Sequence, residues 1–452
     1  MKREGMNRLR SFPPHAFLGF AFLILSEWLH LRKVDPFYSW FYCFAWWSYI
    51  FTIDGVIYGL KGNSLLVSRT REFFLMIPWS IFIWLVFEAA NLVLKNWYYI
   101  NLPHSTIERW AGYAIAYGTV LPGLFETMEL LETMGLWKNV RTKQRSFHPL
   151  ARVAMVFFGI LCLSASILIP RYGFPWIWIG FTFLLEPINA WRQGRSLLDD
   201  IENGTPRKLY LLLLAGMICG LLWEFWNFWA RSKWVYTVPF FDRTKGFEMP
   251  LLGFFGFPPF AVEAYVMYHF ISLFRCQKGW EESTFHLDPM KKTRPLTRIL
   301  AAVLVAGFYV LMFRAIDLHT VDSYYPRLED AYWIEPHFRK ELPKVGIFQL
   351  EDLVTKTRDR REREELALRL LIPKEKLSAW IPKAELALLK GLGVENLRLL
   401  EGVGVDSVQK LAAETPENLY KKMLRLYNNR RIPSEAKIHI WVREARRYAR
   451  TP

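Results

Sequence analysis

For its first two thirds the chain alternates long apolar stretches with short polar ones, and then its character changes. Runs of roughly 18 or more apolar residues fall near 14–31, 37–60, 73–94, 110–131, 150–170, 174–191, 209–230, 250–274 and 297–316, each long enough to cross a bilayer as a helix. Nine spans are therefore predicted. The first ends in Glu27, Trp28 and His30 and lacks the small-residue cleavage site of a signal peptide, so it is expected to be retained. From His319 onward a charged tail of about 130 residues reads as a separate soluble domain. There Arg and Glu alternate over Glu351–Leu371 as on a solvated helix face, and Pro373, Pro382, Pro416 and Pro433 punctuate the helices that follow.

The polar residues inside the apolar runs recur. Glu88, Asn91 and Lys95 have the spacing of Glu224, Asn227 and Arg231, which on a helix share one face. Trp97 and Tyr99 answer Trp234 and Tyr236, and Pro122 with Glu126 answers Pro259 with Glu263. The offset is 136 (88 to 224) or 137 (97 to 234). Upstream, Asp54, Gly62 and Ser64-Leu65-Leu66 match Glu186, Gly194 and Ser196-Leu197-Leu198 at 132 (54 to 186). This is the signature of a tandem duplication. The expected fold is all-α: a polytopic membrane protein with one four-span repeat over 1–137, a second over 138–275, a linker and ninth span over 276–318, and a small soluble helical domain over 319–452. An even number of spans per repeat orients both copies alike.

Composition supports the membrane assignment, with 52% hydrophobic and 17% aromatic residues. The net charge of +16 would suit nucleic acid or anionic lipid. Most of the positive charge instead lies in loops on one side: Lys2, Arg3, Arg8 and Arg10, then Lys61 and Arg69, then Lys138 and Arg141, then Arg192 and Arg195, then Lys291, Lys292 and Arg294. By the positive-inside rule that side, with the N-terminus, is cytoplasmic in a bacterial inner membrane, and nine crossings carry the tail outside. Cys43, Cys162, Cys219 and Cys276 show no paired spacing and read as packing residues.

Asp54, Glu88, Glu126, Glu186, Glu224 and Glu263 are the candidate chemistry. Facing lipid, each would cost about 2.5–3.5 kcal/mol and the six together roughly 15–20 kcal/mol. They are therefore expected to face the bundle interior, with Asn91, Asn227, Trp97, Trp234, Tyr99 and Tyr236 lining the same cavity. Glu126, Glu263, Glu88 and Glu224 are the candidates for catalytic or proton-handling work. A relay or ion site for proton- or cation-coupled transport would use such acids, as would handling of a small hydrophobic ligand. An acid kept neutral among aromatic faces would instead serve acid-catalysed chemistry on a polyene, and structural polar contacts between helices are the third reading. Glu27-x-x-His30 has no second copy to complete a di-iron site, and Asp199-Asp200-x-Glu202 reads as a helix end, so neither metal nor cofactor is expected.

In the tail, Ala384-Glu-Leu-Ala-Leu-Leu-Lys-Gly-Leu-Gly393 with Gly402-Val-Gly-Val-Asp-Ser-Val-Gln-Lys-Leu411 reads as a helix-hairpin-helix turning at Gly391 and Gly393. With Leu350-Glu-Asp-Leu353, Pro416-Glu-Asn-Leu419 and the closing Trp441-Val-x-x-Ala445, it resembles an uncharacterised bacterial helix-hairpin-helix domain family, a resemblance that implies fold and no activity. The membrane part resembles the bacterial carotenoid lycopene cyclases and hydratases in its many spans, its partial duplication and an acid shortly after a proline. That resemblance rests on Tyr236, Pro250, Pro259 and Glu263, with Pro122 and Glu126 in the first copy, and implies acid chemistry on an isoprenoid. The bilayer, a hydrophobic small molecule or ion, and a protein partner for the tail are the expected partners. Nucleic acid is not, because the tail also carries about 20 acids and lies outside the cell on loop charge.

Overall fold

The structure, a computed structural model, describes residues 12–240, 244–286, 295–428 and 432–450. Lys2, Arg3, Arg8, Arg10, Ser11, Lys291, Lys292 and Arg294 lie outside the described residues. The chain divides into two compact units. The first comprises Met1–Asn96, Trp110–Arg231 and Val238–Leu318, and the second Trp97–Arg109, Ser232–Thr237 and His319–Pro452.

The first unit is helical. In order its helices are α1 (Pro14–Leu31), α2 (Phe41–Lys61), α3 (Leu65–Ser68), α4 (Thr70–Leu94), α5 (Thr106–Tyr117, entering from the second unit), α6 (Val120–Thr133), α7 (Pro149–Leu168), α8 (Pro170–Gly173), α9 (Ile177–Trp191), α10 (Leu197–Glu202), α11 (Arg207–Trp229), α12 (Phe257–Leu273), α13 (Glu282–Phe285) and α14 (Pro295–His319). Proline starts α1 and α7 at a position where its missing N–H costs nothing, and left-handed Gly62 ends α2. Among the described residues, six helices are long and apolar enough to cross a membrane: Pro14–Leu31, Thr70–Leu94, Pro149–Leu168, Arg207–Trp229, Leu251–Leu273 and Ile299–His319.

The other three expected spans take different shapes. Trp46, Trp47, Tyr49 and Asp54 dilute the apolar character of α2. The stretch 110–131 breaks between α5 and α6, where the Ser80 hydroxyl donates to the Tyr117 carbonyl (2.6 Å) and accepts from the Leu121 amide (3.0 Å). The stretch 174–191 is a 3-10 turn followed by the 15 residues of α9.

Small residues let the helices approach. α2 runs antiparallel along the whole of α1, with Ala16 against Gly55, Phe22 on Phe44, and His30 stacked on Phe41 with centroids 4.1 Å apart. A Cβ on Gly55 would stand 2.3 Å from that of Ala16, so only glycine fits. α7 meets α9 in the same manner, Gly159 closing on Gly180 and Leu184. Between the two sets of helices, Trp46 of α2 packs on Trp223 and Trp226 of α11 (5.5 and 5.1 Å), and Trp178 of α9 stacks on Phe87 of α4 (5.5 Å). A short ladder of β3 (Lys245–Gly246) with β4 (Met249–Pro250) lies between α11 and α12.

The second unit gathers three separate stretches of chain. β1 (Trp97–Ile100) pairs antiparallel with β2 (Lys233–Tyr236), placing Trp97 opposite Tyr236, Tyr98 opposite Val235 and Tyr99 opposite Trp234. The chain after α14 lies along β1, with the Tyr99 amide donating to the Thr320 carbonyl (2.9 Å) and the Asp322 amide to the Tyr99 carbonyl (2.8 Å). Eight helices follow: α15 (Pro336–Glu341), α16 (Leu350–Lys356), α17 (Arg360–Arg369), α18 (Lys374–Leu388), α19 (Gly393–Gly402), α20 (Val408–Ala413), α21 (Pro416–Tyr427) and α22 (Glu435–Tyr448). The helix expected over Glu351–Leu371 is two helices, because the Asp359 side chain takes the Arg361 and Glu362 amides and starts a new one. A continuous apolar core runs from Leu328 to Ala445 through Trp380, Leu397 and Trp441.

Candidate functional site

All six acids are buried: Asp54, Glu88, Glu126, Glu224 and Glu263 have no exposed surface and Glu186 has 4%. Asp54 and Glu186 do the same local work. Asp54 accepts hydrogen bonds from the Ser64 hydroxyl (2.9 Å) and the Leu66 amide (2.7 Å), and Glu186 from the Ser196 hydroxyl (2.8 Å) and the Leu198 amide (2.8 Å). Each serine in turn caps its short helix, accepting from the Val67 amide in α3 and the Asp199 amide in α10. Read as ligand-binding residues from the sequence, both acids are held by the amides and hydroxyls of a helix start. The two sites differ in one partner: Asp54 also meets His15 Nε2 at 2.9 Å.

The other four acids have different surroundings. Glu263 of α12 accepts from the Phe181 amide at 2.6 Å, fastening α12 to α9. Among the described residues, Glu126 of α6 receives no hydrogen bond from a donor, and the group acting on it most strongly after burial is Asp54. Glu88 accepts from Trp84 Nε1 at 3.0 Å. Glu224 acts electrostatically on the half-buried Tyr42, beside Trp46.

The shared face drawn from Glu88, Asn91 and Lys95, and from Glu224, Asn227 and Arg231, holds only for its first two members. Asn91 and Asn227 are buried, but α4 ends at left-handed Lys95 and α11 ends before Ala230, so the cation in each set lies past the helix it was assigned to. Arg231 packs over the Tyr38 ring (5.1 Å) and lies 3.6 Å from Asp35. Trp97, Tyr99, Trp234 and Tyr236 form the β1–β2 ladder of the second unit, while the carboxylates belong to the first.

Sequence reasoning missed a polar cluster where α2, α6, α9 and α12 finish and α4 and α11 begin. The segment after α12, expected to be a linker, turns back into the bundle. Trp280 is 1% exposed and stacks on Phe125 (4.7 Å), and its carbonyl accepts from Arg69 (2.5 Å). Glu281 accepts from Arg195 Nε (3.1 Å) and the Tyr265 hydroxyl (3.0 Å), pairs with Lys208 (2.8 Å), and lies 3.7 Å from His269. Burial works to raise the Glu281 carboxyl, but Lys208 and Arg195 outweigh it and hold the group well below the usual carboxylate range. Arg69 pairs with Glu129, and Lys61 bridges Glu129 and Glu282. The signal available in the sequence was Trp280 between Gly279 and two acids, an aromatic too large to leave in a loop.

The remaining motifs are structural. His30 lies flat on Phe41, and Glu27 accepts from Trp226. Asp200 pairs with Arg195, and Asp199 and Glu202 with Arg152. In the second unit Gly391 and Gly393 are left-handed (φ 73° and 65°) and close on Ile100, Ser323 and Tyr324, so the turn faces protein. The cysteines carry no disulfide: Cys43, Cys162 and Cys219 are buried and Cys276 half-buried. Glu417, Glu435 and His439 meet on the surface of the second unit with ligand atoms within 4.8 Å of one another.

Residues 333–448 match a family described as a domain of unknown function (DUF4332). No curated protein and no solved structure matches the chain.

Proposed function

We propose that this is a multi-pass membrane protein of duplicated four-span halves whose interior acids couple proton or cation movement to transport, with a small hydrophobic molecule as the alternative cargo. One observation carries it: six carboxyl groups, three per half at matching positions, are withdrawn from the apolar surface into a bundle lined by Trp and Tyr. Packing alone does not call for six buried acids, each of which is costly in a bilayer. The matching Asp54–Ser64–Leu66 and Glu186–Ser196–Leu198 contacts, and the matching Trp46–Trp223 and Trp178–Phe87 contacts, support the duplication. In vesicles holding the purified protein and a trapped pH-sensitive dye, an imposed potential should drive proton entry, and Glu126→Gln with Glu263→Gln should abolish it. Entry no faster than in empty vesicles would overturn the reading.

Helix pairing supports nine crossings in place of six. A 21-residue helix is about 31 Å long, and α2 lies antiparallel along α1 for its full length, so a bilayer crossed by α1 is crossed by α2. That the chain after α4, α11 and α14 enters one compact unit supports those three helices ending on the same side. Three crossings before Trp97 then put the second unit opposite the cytoplasmic N-terminus in a bacterial inner membrane, where it serves protein contacts.

A second reading, acid-catalysed modification of a carotenoid or other isoprenoid, draws on Glu126 lying close enough to the half-buried Tyr49 to act on it, one turn beyond Gly123 against the Trp46 ring. A polyene in an organic extract of the purified protein would favour it.

A further inference from the structure

The two halves are not equivalent in how free their acids are. In the second half Glu186 and Glu263 are both held by backbone amides, Leu198 for one and Phe181 for the other. In the first half the acid of α6 faces another acid. Among the described residues Glu126 receives no hydrogen bond from a donor, and Asp54 stands close enough for a hydrogen bond between the two carboxyl groups. Two carboxylates can make such a bond only if one carries a proton, and adjacent like charges away from water favour that state.

Among the described residues, each fixed cation near the pair is already engaged by another partner. The charged and titratable groups around it are His15 from α1, Tyr49 and Lys61 from α2, Arg69 between α3 and α4, and Glu129 from α6. Lys61 is taken by Glu129 and Glu282, and Arg69 by Glu129 and the Trp280 carbonyl. Arg69 acts on Glu126 as the weakest of its named neighbours. His15, in the first turn of α1 with 24% of its side chain exposed, is the remaining partner, 2.9 Å from Asp54. Among the described residues Glu186 meets no histidine, and the charged side chain acting on it is Arg195.

We propose that Asp54 and Glu126 hold one transferable proton between them, that His15 connects it to the surface, and that the first half alone is the proton-binding half. A proton arriving on the His15 ring passes to Asp54, leaving the ring neutral. From Asp54 it passes to Glu126, leaving Asp54 ionised to receive the next. This deepens the transport reading and rests on it for the use made of the proton, but proton occupancy can be read without any flux.

The experiment is infrared difference spectroscopy of the full chain in lipid nanodiscs between acid and neutral pH. The wild type should show the carbonyl band of a protonated carboxylic acid, which Glu126→Gln removes and Asp54→Asn shifts, while Glu186→Gln and Glu263→Gln leave it in place. His15→Gln, at the bundle edge where folding is least at risk, should keep the band and slow its shift on transfer to heavy water several-fold. A band that survives Glu126→Gln, disappears with Glu263→Gln, or exchanges at the wild-type rate in His15→Gln would overturn the proposal. A wild-type band combined with no proton entry into vesicles would leave the proton site standing and sink only the transport reading.

Discussion

Replacing Ser64 or Ser196 by alanine tests the two helix starts against each other. Ser64 caps α3 and donates to Asp54, and Ser196 caps α10 and donates to Glu186. Losing a serine cap costs about 0.5–2 kcal/mol, and losing a hydrogen bond to a buried charged acceptor about 1.5–3 kcal/mol. Because one hydroxyl serves both, the expected loss is about 2–4 kcal/mol at each site. Asp54 would retain His15 and the Leu66 amide, and Glu186 the Leu198 and Leu197 amides with Arg195 acting on it, so the two losses should be similar. At about 2–4 °C per kcal/mol for a domain of a few hundred residues, the apparent melting temperature in detergent should fall by about 4–16 °C. Fluorescence-detected size exclusion after heating gives the measurement, and Ser64→Thr and Ser196→Thr should restore most of the loss by restoring the hydroxyl. If both alanine variants melt with the wild type, these hydroxyls do not hold the acids. If only one falls, the two starts are not equivalent.

Glu281→Gln should destabilise the bundle by about 3–5 kcal/mol at neutral pH, because Lys208 and Arg195 would lose a buried counter-charge. Its carboxyl is depressed in the folded state, so its contribution is present above the ordinary carboxylate value of about 4.3 and is lost as pH falls from there toward the folded value; the acid side of a stability–pH curve should flatten in the variant. Gly393→Ala places a Cβ 2.8 Å from that of Ser323 at φ 65°, and should cost about 2–4 kcal/mol as strain plus overpacking. Gly404→Ala, at φ 88° with nothing within 4 Å, should cost only the backbone part of about 1–2 kcal/mol, both measured by chemical unfolding of the full chain. Residues His319–Pro452 expressed alone should give helical circular dichroism and a cooperative melt, because every buried member of their core lies between Leu328 and Ala445; a noncooperative trace would show that β1 and β2 are required.

Membrane burial made the acids legible in the sequence, since the cost of a carboxylate in lipid leaves one direction for it to point. Their individual roles were not legible. The amides that hold Asp54 and Glu186 are their partners because the chain turns after α2 and α9, and period alone does not show where a helix stops. The same limit moved Lys95 and Arg231 off the face assigned to them. Trp97, Tyr99, Trp234 and Tyr236 have the composition of an interfacial belt, and their pairing as strands depends on a partner more than 130 residues away (97 to 236 is 139). Trp280 is buried against Phe125 and Arg69, more than 150 residues earlier in the chain (125 to 280 is 155), which no local window contains. The glycines at 391 and 393 do mark a turn, but what it faces is decided by Ile100 and Ser323, far off in sequence.

The register of the β1–β2 ladder has a consequence of its own. Trp97 lies opposite Tyr236 and Tyr99 opposite Trp234, so exchanging the two strands reproduces the same cross-strand pairs around Tyr98 and Val235. Such a register is self-complementary, as in an isologous dimer, and asks for no covalent link between its strands. Each Trp-x-Tyr strand therefore presents to its partner the same face that it would present to a second copy of itself.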